Sequence, residues 1–79
     1  MMISGYVIGT EVKWNEDNVL TTGIIKEVYR SSTEVNLDGQ AKFIEVSDDV
    51  PSYLIEDHDG NTLVLPHTDV TLKSSNLHT

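Results

Sequence analysis

Gly9-Thr10-Glu11-Val12-Lys13-Trp14 alternates residue by residue, with Thr10, Val12 and Trp14 on one side and Glu11 and Lys13 on the other. A period of two marks a strand with one buried face, because successive side chains leave a pleated backbone in opposite directions. Asn15-Glu16-Asp17-Asn18 then reads as a loop, since short polar side chains bond local backbone and interrupt ladders. A second strand spans residues 19–30, and Gly23 within it predicts a bulge or bend. Ser31-Ser32-Thr33 is polar, and a short strand follows over residues 35–37. Asp38-Gly39 predicts a hairpin, because both central residues of a type I′ turn need positive φ. Residues 40–46 form the returning strand.

The second half is divided in the same way. Ser47-Asp48-Asp49-Val50-Pro51 is a loop, and Pro51 forbids a continuous central strand there. Residues 52–57 make a strand, Asp59-Gly60 a second hairpin turn, and residues 61–65 the strand after it. Pro66 ends that strand, a piece at residues 70–72 completes the sheet, and the polar chain from Ser74 onward is expected to fray.

Composition supports an all-β fold. Nine valines, six isoleucines and eight threonines are β-branched, against a single alanine at Ala41. Such side chains are stiff at χ1 and pack better on a pleated sheet than in a helix. At 79 residues the chain makes one domain, with its core over residues 9–72. The expectation is a small SH3-like barrel of about five short antiparallel strands, whose closure would protect exposed edges.

Charge and cysteine count narrow the function. Thirteen Asp and Glu against five Lys and Arg give a net charge of -8. That surplus opposes direct nucleic-acid binding, which depends on neutralising phosphates. There is no cysteine, hence no disulfide frame and no thiolate metal site. No apolar run reaches the ~18 residues of a membrane span, and Met1-Met2-Ile3-Ser4 lacks the features of a leader. A cytoplasmic protein is expected.

Two stretches carry a family likeness. Gly9-Thr10-Glu11-Val12-Lys13-Trp14 with Gly23-Ile24-Ile25-Lys26-Glu27-Val28, and then residues 46–57 with their Pro51-Ser52-Tyr53-Leu54-Ile55 core and Gly60 beyond, resemble the hypervirulence-associated Tudor-domain family. The likeness covers roughly residues 9–72 and implies a Tudor-like, SH3-type barrel. The chain departs from the family at Leu65-Pro66-His67, where a basic residue and a histidine are usual, and in a long middle between Tyr29 and Gln40.

Tudor barrels can hold methylated lysine or arginine in an aromatic cage by cation–π attraction. Trp14, Tyr29, Phe43 and Tyr53 are the aromatics for such a cage, with Asp48 or Asp49 as counter-charge. The competing reading puts Trp14 and Phe43 in the core, as large aromatics in a small barrel usually are, and it is the favoured one. From Glu45 to Asp59 six acids occur with no Lys or Arg, which makes either a solvated face or a surface that steers a basic partner. Asp57-His58-Asp59-Gly60-Asn61 has alternating oxygen ligands. Gly60 is fourth and Thr68 twelfth, however, where a calcium loop needs Gly sixth and Glu twelfth. His58, His67 and His78 lack zinc spacing. His67 beside Asp69 is no catalytic set without a nucleophile and an oxyanion site. No catalytic, cofactor or metal residue is assigned, and an enzyme is not expected.

These readings converge on a non-enzymatic module that binds a protein. Its candidate partner surface is exposed and comprises Trp14, Tyr29, Asp48, Asp49 and Tyr53, facing a basic or extended segment of the partner. The alternative is a nucleic-acid-associated module, using Lys26, Arg30, Lys42 and Tyr29, or an acidic mimic that blocks a nucleic-acid-binding protein. A homo-oligomer is left open.

Overall fold

A computed structural model describes residues 5–73. The expectations for Met1-Met2-Ile3-Ser4 and for the chain from Ser74 onward, His78 included, lie outside the described residues. Seven strands follow one another: β1 (Glu11–Glu16), β2 (Val19–Tyr29), β3 (Thr33–Leu37), β4 (Gln40–Ile44), β5 (Ser52–Asp57), β6 (Thr62–Pro66) and β7 (Thr71–Leu72). A single 3₁₀ turn, His67–Asp69, lies between the last two. The all-β class is as the sequence predicts, with five strands in the main sheet and two more in a hairpin among the described residues.

The strands form a five-stranded antiparallel sheet in the order β6-β5-β2-β1-β7 and a separate β3-β4 hairpin. Turn chemistry sets these registers. Asp17 and Asn18 have φ of 52° and 66°, so a two-residue turn joins β1 to β2 and pairs Glu16 with Val19. Strand β1 thus runs through Asn15 and Glu16, which the sequence assigns to a loop. Asp38 and Gly39 have φ of 54° and 83°, the predicted type I′ pair, and Leu37 lies opposite Gln40. Between β5 and β6, Asp57 accepts the N–H groups of Asp59 and Asn61 through Oδ1, and Gly60 takes φ of 86°.

Gly23 is not a bulge. It pairs regularly with Val12 and with Asp57, and the register shift in β2 falls between Ile25 and Glu27 instead. The glycine is required because the strands approach closely there. A Cβ at Gly23 would lie 2.7 Å from the Glu56 carbonyl oxygen and 3.0 Å from Cη2 of Trp14.

The core is Val12, Trp14, Ile25, Tyr53, Ile55 and Val70, with Tyr6, Val28, Leu63 and Leu65 packed against it. Alternation delivers these side chains to one face: Ile25 is opposite Ile55, which is opposite Leu63, and Val28, Tyr53 and Leu65 form the next row. Burying an aliphatic side chain of this size stabilises a fold by about 1.5–3 kcal/mol. Phe43, expected inside, is 67% exposed. The Asp38-Gly39 turn decides this: with Leu37 opposite Gln40, Val35 meets Lys42 and Glu34 meets Phe43. Val35 is buried, so Phe43 is directed to the outer face of the hairpin.

Candidate functional site

The five residues of the predicted surface separate into two groups. Trp14 is 5% exposed and Tyr53 is fully buried, so neither belongs to an exposed partner surface. The cause is strand phase, since Trp14 shares the inward face of β1 with Val12, and Tyr53 shares that of β5 with Ile55. Tyr29 is half-buried at the end of β2, and Asp48 and Asp49 are exposed. Ring contacts link Tyr53 to Tyr6 and His67, and none joins Trp14, Tyr29, Phe43 and Tyr53 into a cage among the described residues.

Asp48 and Asp49 are carried by a loop fixed at both ends. At its start Val46 is buried and its N–H donates to the Ser32 hydroxyl at 2.8 Å. Within the loop the Ser47 hydroxyl accepts the Asp49 N–H at 3.3 Å, and the Ser47 carbonyl accepts that of Val50 at 3.3 Å. Pro51, fully buried, closes it, and its carbonyl accepts the His67 N–H at 2.9 Å. The two carboxylates therefore project from a short turn whose backbone is already ordered. Tyr29 is opposite Ser52, the residue after Pro51, so its backbone lies next to the loop's exit. Burial, and then the charge of Glu27, raises the Tyr29 hydroxyl above its ordinary pKa, so it stays a neutral donor.

Tyr53 has a different role. Its hydroxyl accepts the Tyr6 N–H at 2.9 Å and is bonded to Nδ1 of His67 at 2.7 Å. The Tyr6 and His67 rings lie 4.9 Å apart, so three side chains tie the segment before β1 to the end of β6. His67 is thereby a structural partner of Tyr53.

A pair that the sequence did not suggest joins Thr22 and His58, with the hydroxyl 2.7 Å from Nε2. It borders a recess of about 200 Å³ with Leu20, Thr21, Asp57 and Asp59. The residues are 36 apart in sequence, and only the β2-β5 register, with Gly23 opposite Asp57, brings them together. A hydroxyl and a base alone make no catalytic site; the ring needs an orienting group and the product a charge acceptor.

The other charged side chains are partly spent. Lys26 pairs with Glu56 at 3.4 Å and Lys73 with Glu11 at 3.1 Å. Lys26, one of the cations of the nucleic-acid reading, thus lies beside an acid on the neighbouring strand. No group of three or more His, Cys, Asp or Glu side chains is placed to hold a metal ion among the described residues. Nor does any helix among them have the length and apolar character to cross a membrane.

The family model of the hypervirulence-associated protein Tudor domain matches residues 9–68, most of the chain. The chain belongs to that family. A hypervirulence-associated Tudor domain is a small, barrel-like β module, in agreement with the strands and turns described above. No curated protein and no solved structure matches the chain significantly.

Proposed function

We propose that this Tudor-domain chain is a non-catalytic module that mediates protein–protein interaction. It takes a basic or extended segment of a partner at the acidic loop between β4 and β5. One observation carries the reading: Asp48 and Asp49 stand exposed on a turn pinned by Ser47, Val46 and Pro51, and neither enters the Lys26–Glu56 or the Lys73–Glu11 pair. Preordered carboxylates lose little entropy on meeting a cation, and an acidic field speeds the encounter. Tyr29, paired with Ser52 just past the loop, is the aromatic of this reading in place of the buried Trp14 and Tyr53. The remaining acids of residues 45–59 extend the field, and the overall charge of -8 favours a basic partner over phosphate. Such a module would work in the cytoplasm, where a chain without cysteine needs no oxidising environment.

The test is capture from native cells with the wild-type chain and an Asp48→Asn, Asp49→Asn variant as paired baits. Partners retained by the first and lost by the second support the reading. Identical partner sets on both baits remove the loop from the mechanism.

A further inference from the structure

The end strand β6 is an unguarded edge. Natural sheets protect their edges with charged residues, proline, bulges or very short strands. At the other end of the five-stranded sheet, β7 is only two residues long and Lys73 follows it, held to Glu11. Strand β6, by contrast, reads Thr62-Leu63-Val64-Leu65-Pro66, with no charge and with proline only at its last position.

The phase of the ladder determines which backbone groups are open. The Asp57 N–H donates to the Asn61 carbonyl at 2.9 Å. Bonded and non-bonded pairs alternate along an antiparallel ladder. Ile55 with Leu63 and Tyr53 with Leu65 are then the bonded pairs, and the N–H and C=O groups of Thr62 and Val64 point away from β5. Pro66 is in the same outward phase and has no N–H to offer. No described strand pairs with this edge.

The space in front of the edge is shaped. Thr62, Leu63 and Val64 line a groove of about 380 Å³ with Leu37, Ile44 and other hairpin residues facing them. Asp38 and Lys42 are the charged side chains on its wall. An extended chain laid along β6 would satisfy Thr62 and Val64 on one side and place alternate apolar side chains against Leu37 and Ile44.

We infer that the β6 edge, at Thr62 and Val64, accepts an extended basic segment of a partner protein as an added strand. This rests on the protein-binding reading and assigns that partner a second point of contact. Charge selects the occupant. Strand β5, the neighbour of β6, and the loops flanking it carry Glu45, Asp48, Asp49, Glu56, Asp57 and Asp59. A second copy would bring a further charge of -8 to the shared edge, whereas a lysine-bearing segment is attracted to it.

The probe is a capped peptide alternating lysine and valine, and the readout is amide hydrogen exchange of the whole chain. At ten times the dissociation constant, the Thr62 and Val64 amides should exchange about tenfold more slowly. A peptide N-methylated at the alternate nitrogens that face β6 should lose this protection, whereas methylation in the other phase should leave it. Val64→Pro removes an outward donor without touching the β5 ladder, and should abolish binding. The inference is overturned by a peptide that protects only other amides, by binding that neither phase of N-methylation weakens, or by no binding at millimolar peptide. Self-association that already protects Val64 also overturns it. If Val64→Pro does not fold, the N-methyl series on the wild-type chain decides. Loss of capture by the Asp48, Asp49 variant is read separately, so either claim can fail alone.

Discussion

The Tyr53 hydroxyl is bonded to Nδ1 of His67 at 2.7 Å, across the 14 residues that include β6. With the Tyr6 N–H donating to the same oxygen, one buried atom connects the segment before β1, the start of β5 and the 3₁₀ turn. Replacing Tyr53 by phenylalanine leaves the Tyr6 N–H without its acceptor in a part-buried setting. Tyr53→Phe should cost about 1–3 kcal/mol, read from the urea midpoint with an unchanged m-value.

The same hydroxyl predicts an alkaline response. Burial is the main reason its pKa lies above the ordinary tyrosine value; Tyr6 adds to the shift, while the Tyr6 N–H and Arg30 oppose it. In the unfolded chain Tyr53 loses its proton near pH ~10, while the folded chain keeps it. The unfolded state then holds fewer protons, so stability falls as pH rises from there through the folded pKa. Denaturation of wild type between neutral and strongly alkaline pH should show this loss, and Tyr53→Phe should show less of it.

Gly23 gives the sharpest steric prediction. Alanine there puts its Cβ 2.7 Å from the Glu56 carbonyl oxygen, and that backbone is held in the β2-β5 ladder. Gly23→Ala should destabilise by about 1–3 kcal/mol, as overpacking commonly does. Gly39→Asn faces open space at a φ of 83°, which asparagine tolerates, and should cost clearly less. Thermal melts of the two variants make the comparison.

How much of this was legible follows from what each signal encodes. Alternation at Val12 and Trp14 reports a buried face directly, and Asp38-Gly39 reports both a turn and its register. Phe43 was legible too: counting back from the turn pairs it with Glu34, on the face opposite Val35 and Leu37. Size alone suggested a core residue, and register overruled size. The burial of Tyr53 was open to the same argument through its phase with Ile55. Gly23 was ambiguous, because a bulge and a close approach both require glycine. The Thr22–His58 pair and the outward phase of Val64 depend on which strands are neighbours, and nothing local specifies that β2 lies between β1 and β5.

Asp48→Asn with Asp49→Asn should leave the fold intact, since both side chains are exposed and neither bonds the core. Changes at such positions usually stay within about 0.5 kcal/mol. Wild type should also flow through a heparin column at low salt, where its acids repel a polyanion. Retention there would instead favour the nucleic-acid-associated reading.

The protein-binding claim is tested most directly by mapping where a basic partner lands. A lysine-rich peptide titrated into the isotope-labelled chain should shift the amides of residues 47–50 and of Tyr29. With Asp48→Asn and Asp49→Asn those shifts should shrink while the spectrum remains that of a folded protein. Shifts of equal size in wild type and variant, or none at residues 47–50, would contradict the claim that the acidic loop receives the partner.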